Sequence, residues 1–433
     1  MGGIHPAENK TANTDIEIHP LPLTACVPLS QHIGAPAKAI VARGEKVVRG
    51  QLIAQAAGFV SANIYAPVSG TVASVDNAIL ADGRPAAAIV IKASQEEHDA
   101  DTAAREEYWK KVSDGSLDNM SVSPEAAEIR AAVEKAGIVG LGGATFPTHV
   151  KLSVKGTAPD TLIINGCECE PYLTCDEALM LRYGKYIAHG AALLAKAVGA
   201  STTVIAIEDN KPRAIAEMKA AASVFKGMKV VAVRTKYPQG GEKQLIAAIT
   251  GRRVPSGAIP ASVGVVVDNV ATAFATWQAV VTLAPVTERV LTVTGDIPAA
   301  QQRNYLCAVG TPLSELPFTM PEHPQIILGG PMMGRCAVNI SAPVTKGTSG
   351  LLLLEARREP DILPCVRCGA CVEACPMGLE PYLLAVYGKL RRWDDARNAD
   401  VADCLECGCC SYSCPSHRPI LDFIRIAKKR SRK

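Results

Sequence analysis

The sequence repeats one cysteine pattern near its end, as CVRCGACVEACP at residues 365–376 and as CLECGCCSYSCP at residues 404–415. Each copy reads Cys-x2-Cys-x2-Cys-x3-Cys-Pro, and the region from residue 355 onward holds nine of the 15 cysteines. Thiolates at this spacing wrap the backbone around a cube of iron and sulfide. The pattern therefore predicts two [4Fe-4S] clusters in a C-terminal domain of helices and loops.

The ligand sets follow from the pattern of two-cluster ferredoxins, in which the fourth cysteine of each copy ligates the other cluster. The predicted ligands are Cys365, Cys368, Cys371 and Cys414 for one cluster, and Cys404, Cys407, Cys410 and Cys375 for the other. A pair of four-cysteine zinc sites is the alternative, but zinc gives no reason for the proline after each fourth cysteine. Cys409 falls outside the spacing and is interpreted as a spare thiol beside a cluster.

Composition excludes several other classes of protein. The 433 residues carry 45 Lys and Arg against 42 Asp and Glu, and a net charge of +3 is too small to suggest nucleic acid as the main partner. The start of the chain lacks the features of a signal peptide, and no apolar run is long enough to cross a membrane. Residues 263–281 come closest, and their polar side chains favour a buried strand followed by a helix. We expect a cytoplasmic chain with reduced thiols, attached to a membrane only through a partner.

The first of four expected domains covers residues 1–115. Short apolar runs separated by glycines predict a small β module, and the polar stretch at residues 93–119 is expected to link it to the next domain. The pattern resembles a biotinyl or lipoyl carrier hammerhead. Its tip reads APVSGTV and has no lysine to modify, so we expect an unmodified barrel-sandwich hybrid.

The second expected domain, residues 120–285, alternates short apolar strands with longer helical segments. This alternation predicts an open, mostly parallel α/β sheet whose ligands gather at the loops beyond the strand ends. We expect Ser123 and Pro124 to begin its first helix and Gly137 to end it.

The last two domains differ in their patterns. Residues 286–354 contain the strand-like runs RVLTVTG, QIILGG and GLLLL and predict a small β-rich domain. Residues 355–433 contain the cysteine repeats and end in KKRSRK, which we expect to be a solvated, disordered basic tail rather than a docking or membrane-surface element.

A glycine-rich loop, GIVGLGGATFPTHVK at residues 137–151, lies between a predicted helix and a predicted strand of the α/β domain. It offers backbone amides without side chains in the way, and Lys151 adds a point charge. Phosphate or the edge of a flavin would use such a loop, although glycines in a simple turn explain it equally well.

Two further segments supply candidate contacts. The strand end NGCECEPYLTCDE, residues 165–177, is polar and acidic, and YPQGGEKQL, residues 237–245, places glycines at the start of a helix. The cysteines of the first segment have no metal-binding spacing, and we expect them to be ordinary reduced thiols.

These motifs, in this order, resemble the RnfC family, the electron-input subunit of the Rnf ion-translocating oxidoreductase complex. The resemblance rests on GGIHPAENK, GLGGATFPTHVK, INGCECEPYLTCDEALM, YPQGGEKQLIAAITGRRVPSGAIPASVGVVVDNV, GGPMMG and the cysteine repeats, and it covers nearly the whole chain. The middle part is also similar to the NADH-binding flavoprotein subunit of respiratory complex I.

The resemblance implies an α/β multidomain fold with a barrel-sandwich hybrid, a Rossmann-like flavin domain, a soluble-ligand-binding β-grasp (SLBB) domain and a helical two-[4Fe-4S] ferredoxin-like domain. It implies FMN as cofactor and NADH as substrate. The implied partners are the membrane subunits of the Rnf complex and its other iron–sulfur subunit, with ferredoxin as an indirect partner. The implied place is peripheral, at the cytoplasmic face of the inner membrane.

Motif matching also carries site residues over to this chain. Those expected to contact FMN or NADH are Gly140, Gly142, Gly143, Phe146, Lys151, Asn165, Glu168, Gly241, Glu242, Asn269 and Thr272. Phe146 is expected either to stack on an aromatic ring of the dinucleotide or to lie in the core. No side chain is expected to act as an acid or a base.

A flavin is expected between NADH and the clusters, because NADH gives up two electrons together and a cluster accepts one at a time. Two other functions stay open at this point. One is a soluble cobalamin reductase of the propanediol-utilisation type, which has the same cofactors in another domain order. The other is a scaffold whose clusters are purely structural.

Overall fold

The computed structural model describes residues 2–154, 156, 158–358 and 360–431, which form four β-sheets and a helical C-terminal region. None of the helices in these ranges is both long and apolar enough to cross a membrane.

Two small antiparallel sheets form the N-terminal module, which confirms the predicted β module. Sheet order is β2-β8-β7-β4 in one and β3-β5-β6 in the other, and apolar side chains such as Ile53, Ile64 and Ile89 fill the space between them. The strands of this region are β1 (Ile16–Ile18), β2 (Thr24–Pro28), β3 (Lys38–Ala39), β4 (Lys46–Val47), β5 (Leu52–Gln55), β6 (Ile64–Tyr65), β7 (Gly70–Ile79) and β8 (Pro85–Lys92).

The polar stretch that was expected to be a linker is instead helix α1 (Gln95–Asp114). Ser94 and Glu97 cap its start reciprocally: the Ser94 hydroxyl accepts from the Glu97 amide at 3.3 Å, and the Glu97 carboxylate accepts from the Ser94 amide at 2.8 Å. The prediction was wrong because charged residues dominate the stretch and only a few side chains, among them Trp109, anchor it to the core.

The α/β domain has the predicted parallel sheet, in the order β11-β10-β9-β12 with every pair parallel. Its elements are α2 (Ala126–Lys135), α3 (Thr148–Leu152), β9 (Thr161–Gly166), α4 (Cys175–Val198), β10 (Thr202–Glu208), α5 (Pro212–Ala222), β11 (Met228–Val233), α6 (Glu242–Thr250), β12 (Val265–Asn269) and α7 (Val270–Trp277).

The first helix of this domain begins later than predicted. The residue before α2 is Glu125, whose amide donates to the Glu128 carboxylate at 2.8 Å, so Ser123 and Pro124 lie outside the helix. Gly137 follows the end of α2 with φ of +67°, in the left-handed region where a helix commonly stops.

The third domain is built on a six-stranded sheet in the order β1-β14-β13-β17-β15-β16. Its own strands are β13 (Glu288–Gly295), β14 (Arg303–Ala308), β15 (Pro324–Leu328), β16 (Arg335–Cys336) and β17 (Gly350–Glu355). Strand β1 runs parallel to its neighbour β14. A segment that the sequence division placed in the first domain therefore completes the sheet of the third.

The C-terminal region confirms the expected helices and loops and contains no strand within residues 360–431. Its helices are α8 (Ala370–Glu373), α9 (Pro381–Lys389), α10 (Trp393–Asn398), α11 (Cys409–Tyr412) and α12 (Ile420–Ser431). The two repeats fold alike: α8 follows Gly369 with φ of +80°, and α11 follows Gly408 with φ of +81°. Residues 428–431 of the expected disordered tail are the last turn of α12, and residues 432 and 433 lie outside the described part of the chain.

Candidate flavin and iron–sulfur sites

The glycine-rich loop closes on itself through its backbone. The Gly140 amide donates to the Phe146 carbonyl at 2.8 Å, and the Thr145 amide donates to the Gly140 carbonyl at 3.0 Å. The Leu141 amide donates to the Thr272 hydroxyl at 3.0 Å, which fixes the loop to α7. Thr272 is fully buried, so its hydroxyl holds the loop from behind.

The tip of this loop is open to solvent. Gly142, Gly143 and Ala144 are exposed, and no described residue accepts a hydrogen bond from any of their three amides. Gly142 packs against Asn269, where an added Cβ would lie 3.1 Å from the side chain, and Gly143 has φ of +106°. The tip therefore requires small residues and presents three consecutive N–H groups, an arrangement that binds phosphate oxygens well.

Lys151 lies beside two carboxylates rather than free in solvent. Its ammonium donates to the Val267 carbonyl at 2.8 Å and lies 3.6 Å from Glu242 and 3.7 Å from Asp268. Burial lowers the pKa of Lys151, but Asp268 and Glu242 outweigh burial and hold it above its usual value. This cation therefore stays charged next to the loop.

Asp268 was not predicted as a site residue. It is 2% exposed at the end of β12, and within the described ranges neither of its oxygens accepts a hydrogen bond. Burial raises the pKa of Asp268 to about 6, although Lys151 opposes the shift. The available signal was a carboxylate at the end of the apolar run VVV, which was used only to exclude a membrane span.

The ends of β9 and β12 meet the start of α6. The Asn165 side-chain amide donates to the Gly240 carbonyl at 2.9 Å, and the Asn269 side chain donates to the Asn165 carbonyl at 3.3 Å. Gly241 immediately precedes α6, and Glu242 begins it with its carboxylate partly exposed. These predicted residues therefore gather at the carboxyl edge of the parallel sheet, where such folds bind ligands.

Glu168 has a structural role in the acidic loop. It has φ of +49°, and its carboxylate accepts from the Asp176 amide at 2.7 Å at the start of α4. Burial raises the pKa of the Asp176 carboxyl to about 7, and the charge of Glu168 adds to the shift, while Asn269 donates to Asp176 at 2.7 Å. Asp176 is a second buried acid that was not predicted.

The remaining predictions about this site have mixed outcomes. Phe146 is half-buried, so the choice between stacking and packing stays open. Cys167 and Cys175 are buried, and burial raises the pKa of both thiols, as expected for ordinary reduced thiols.

The thiols of the two cysteine repeats are too far apart to share single ions. Across the described residues, only Glu168, Cys175 and Asp176 bring three potential ligand atoms within 4.8 Å of one another. A tetrahedral zinc with bonds of about 2.3 Å places its four sulfurs only about 3.8 Å apart. A four-iron cube holds its ligands farther apart, so the repeats fit clusters better than zinc.

The thiols that influence one another belong to the predicted crossed sets. Burial raises the pKa of Cys410 to about 12, and nearby Cys404, Cys407 and Cys375 raise it too. Burial also raises the pKa of Cys371, to which Cys414 of the other repeat and Cys368 contribute. We call the set with Cys375 the inner set, and the set with Cys414 the outer set.

The inner set lies against the flavin-loop end of the α/β domain. Buried Tyr237 donates through its hydroxyl to the Cys407 carbonyl at 2.8 Å, and the Gly240 amide donates to the Cys169 sulfur at 3.4 Å. Cys409, the spare thiol of the sequence prediction, is fully buried in the same apolar cluster. In the outer set, Cys365 and Cys368 are exposed.

Three family models match the chain. A model of the RnfC barrel sandwich hybrid domain matches residues 1–96, one of the Nuo51 FMN-binding domain matches residues 133–278, and one of a 4Fe-4S dicluster domain matches residues 356–415. These matches establish the fold in outline: an α/β multidomain chain with a barrel-sandwich domain, a flavin-binding domain and an iron–sulfur domain.

Several relatives match most of the chain. The RnfC subunit of the Na+-translocating ferredoxin:NAD+ oxidoreductase complex of Acetobacterium woodii is 41% identical over 437 residues, which cover 99% of this chain and 96% of that relative. The chain belongs to the RnfC family. Another member of this family, from the proton-translocating ferredoxin:NAD+ oxidoreductase complex of Clostridium ljungdahlii, is 41% identical over 92% of this chain and 86% of its own length.

A third RnfC family member, from the ion-translocating oxidoreductase complex of Rhodobacter capsulatus, is 43% identical over 88% of this chain and 73% of its own length. Among solved structures, a chain of an NAD+-reducing [NiFe]-hydrogenase matches with a TM-score of 0.53 at 19% identity. The match covers 71% of this chain and 62% of that one, and it shows a shared fold.

Proposed function

We propose that the chain is the electron-input subunit of an ion-translocating ferredoxin:NAD+ oxidoreductase complex, and that it passes electrons between NADH, FMN and two [4Fe-4S] clusters. The observation that carries the proposal is the contact between the flavin-loop end of the α/β domain and the inner cysteine set, through Tyr237 and Gly240. A scaffold with structural clusters would need neither the open amides at Gly142 and Gly143 nor that contact.

The donor set at the carboxyl edge of the sheet fits FMN. The free amides of Gly142 and Gly143 would bind the phosphate, with Lys151 as the nearby positive charge, and the Asn165 and Asn269 side chains would border the ring system. Gly140, Gly241, Glu242 and Phe146 complete the proposed site, while Glu168 and Thr272 shape it through the loops that they hold. When bound, FMN accepts a hydride from NADH and passes the electrons on singly.

Two buried carboxyls border this site and are able to hold protons near neutral pH. Burial raises the pKa of Asp268 to about 6 and that of Asp176 to about 7. Both therefore differ from exposed carboxylates in being partly protonated around neutrality. We propose that they keep the net charge of the site nearly constant when its redox state changes, because each is able to take up or release a proton.

The proposed order of the clusters follows from their positions. The inner set, with Cys375, Cys407 and Cys410, is the one in contact with the flavin domain, whereas the outer set presents exposed Cys365 and Cys368. Electrons from NADH would pass to the inner cluster, then to the outer cluster, and then to the next protein of the complex. The crossed ligation keeps the two clusters close, because each repeat contributes ligands to both.

The finer architecture and the setting are part of the same proposal. We assign residues 1–115 to the barrel-sandwich module and α1, 120–285 to a Rossmann-like FMN domain, 286–354 to a β-grasp domain, and 355–433 to a ferredoxin-like domain. The partners would be the membrane subunits and the other iron–sulfur subunit of the complex, with ferredoxin reached indirectly. The chain would lie peripherally at the cytoplasmic face of the membrane. Membership of the RnfC family does not favour the cobalamin reductase alternative.

Anaerobic purification followed by metal and flavin analysis of one sample tests the proposal. We expect about eight irons with acid-labile sulfide and about one FMN per chain. We also expect added NADH to bleach the visible absorbance of this preparation. Two zincs and no flavin, or a loaded sample that NADH leaves unchanged, would contradict the function proposed here.

A further inference from the structure

We infer that residues 2–10, GGIHPAENK, are a clamp that fixes the acidic loop of the flavin site to the inner cysteine set and so positions the two redox sites. The inference rests on the proposed function and adds a role to a segment that contributes no predicted ligand. We call residues 2–10 the N-terminal clamp.

One end of the clamp lies on the first cysteine repeat. The Gly3 amide donates to the Ala374 carbonyl at 2.8 Å, next to the inner ligand Cys375. The backbone approaches so closely that a Cβ on Gly2 would lie 2.2 Å from the Cys375 carbonyl oxygen. Only glycine therefore allows this contact, which explains the small residues at the start of the motif.

The middle of the clamp pairs with the loop that joins the two redox sites. The Ile4 amide donates to the Tyr237 carbonyl at 2.8 Å, and the Tyr237 amide donates back to the Ile4 carbonyl at 2.9 Å. The Ile4 side chain is buried in the apolar cluster that contains Tyr237, Ala374, Cys407 and Cys409. The clamp is thus part of the packing between the α/β domain and both cysteine repeats.

The other end of the clamp holds the acidic loop. The Lys10 ammonium donates to the backbone carbonyls of Glu168 at 2.9 Å, Glu170 at 3.0 Å and Leu173 at 2.5 Å, which uses all three of its N–H groups. The Tyr172 amide donates to the Glu8 carbonyl at 2.7 Å. Hydrogen bonds from a charged donor are among the stronger ones, so Lys10 sets the shape of this loop.

A second segment holds the acidic loop from the third domain. The amides of Met332 and Met333, in the motif GGPMMG, donate to the Glu170 carboxylate at 3.0 and 2.8 Å. A Cβ on Gly408, in the second cysteine repeat, would lie 3.2 Å from the Met332 carbonyl oxygen. The acidic loop and the inner cluster site are therefore tied together on two sides, and the clamp is the tie that reaches both cysteine repeats and the loop.

Electron transfer between fixed centres depends on their separation, and a misplacement of about 1 Å at a reacting site commonly costs about a hundredfold in rate. A loosened clamp should therefore slow the passage of electrons from flavin to clusters and leave the reduction of the flavin by NADH intact. This separation of two steps distinguishes a positioning role from general destabilisation.

The test uses the full chain loaded with FMN and both clusters, mixed anaerobically with NADH. Flavin bleaching is followed by stopped-flow absorbance, and cluster reduction by rapid-freeze electron paramagnetic resonance. The variants are Lys10→Met, at the flavin end, and Gly2→Val, at the cluster end. Lys38→Met, which replaces an exposed lysine in β3, is the matched control.

In Lys10→Met and Gly2→Val we expect normal iron and FMN content, an unchanged rate of flavin bleaching, and cluster reduction slowed about tenfold or more. Lys38→Met should behave as the unmodified chain. Cluster reduction that keeps pace with flavin bleaching in both variants would overturn the inference. Loss of FMN from Lys10→Met would also overturn it, since Lys10 would then belong to the binding site.

A second measurement judges the clamp separately from the proposed function. Backbone hydrogen exchange should speed up in residues 166–173 of Lys10→Met and in residues 374–376 of Gly2→Val, and neither segment should change in Lys38→Met. Unchanged exchange in both variants would refute the clamp. If NADH fails to bleach the flavin of the unmodified chain, the proposed function fails, and the exchange result still decides the structural role of the clamp.

Discussion

The hydroxyl of Tyr237 donates a 2.8 Å hydrogen bond to the carbonyl oxygen of Cys407, and this bond joins the α/β domain to the second cysteine repeat. Tyr237 is 1% exposed, and its backbone pairs with Ile4. The relationship matters because the loop that begins with Tyr237 continues through Gly240 to the flavin-site residue Asn165. One short segment thus touches both proposed redox sites.

Replacing Tyr237 with Phe should destabilise this contact. The substitution leaves the buried Cys407 carbonyl without its donor, which typically costs about 1–3 kcal/mol. Chemical denaturation of the iron-loaded chain, followed by visible absorbance and circular dichroism, measures the change in unfolding free energy. Tyr412→Phe, on an exposed side chain, is the control and should change the free energy by less than about 0.5 kcal/mol. Equal effects of the two substitutions would contradict a buried bond at Tyr237.

Gly142→Val should abolish FMN binding and leave the clusters in place. A valine Cβ would lie 3.1 Å from the side chain of Asn269, and its branches would displace Asn269 and cover the open amides. Flavin and iron contents of the same anaerobic preparation give the result, with Ala220→Val on the surface of α5 as the control. An unchanged flavin content would show that the loop tip does not bind the cofactor, and a parallel loss of iron would indicate misfolding instead.

The sequence predicted the parallel sheet well because strands β9, β10 and β12 are buried, apolar and bounded by glycine or polar residues. It failed at α1, where interdomain contacts such as that of Trp109 stabilise a helix with little apolar periodicity. It also failed at β1, since three residues contain no signal for pairing with a strand almost 290 positions away. Such long-range pairing depends on the assembled domains rather than on local pattern.

The candidate site was predictable to a similar extent. Glycines and cysteines declare their roles through spacing, so the loop tip and the repeats were found. Buried acids such as Asp268 and Asp176 were missed because a carboxylate at a strand end or a helix start is usually exposed. Their pKa shifts arise from burial, which becomes visible only when the surrounding elements are in place.

Asp268 should titrate well above an ordinary aspartate. Its folded pKa of about 6 exceeds the usual 3.8 because burial disfavours the charged form. Since the folded chain binds the proton more tightly, Asp268 makes stability fall as pH rises from about 4 to about 6 and has no further effect above that range. Infrared difference spectra should show a protonated carboxyl band that disappears around pH 6.

The control for this titration is Asp268→Asn, which should lack that band and keep the bands of other carboxyls. Asp160, an exposed aspartate beside Arg252, provides the comparison because the Arg252 hydrogen bond holds its pKa below the usual value. A band that persists in Asp268→Asn, or one lost below pH 4, would show that Asp268 ionises normally.

Arg105 should be essential for docking α1. Its guanidinium is 1% exposed, pairs with Glu288 at 2.5 Å and donates to the carbonyls of His19 and Leu306. Removing one partner of a buried pair typically costs about 3–5 kcal/mol. Arg105→Met should therefore lower the unfolding free energy by that amount in denaturant titrations.

Lys46→Met is the matched control for Arg105→Met. Lys46 pairs with Glu97 at 3.0 Å, but its side chain is 77% exposed, and such pairs contribute only about 0–1 kcal/mol. If both substitutions cost less than about 1 kcal/mol, α1 is not anchored by the buried ion pair, and the apolar contacts of Trp109 must hold it.

The order of the two clusters predicts opposite results for two ligand substitutions. Cys365→Ser removes an exposed ligand of the outer set, so NADH should still reduce the flavin and the inner cluster, while transfer to an external one-electron acceptor is lost. Cys410→Ser removes a buried ligand of the inner set, so flavin reduction should continue while the outer cluster receives electrons slowly or not at all. Electron paramagnetic resonance of samples frozen after mixing with NADH separates the two cases. If Cys365→Ser blocked reduction of the inner cluster, electrons would have to enter from the exposed side, and the contact between Tyr237 and Cys407 would then be structural only.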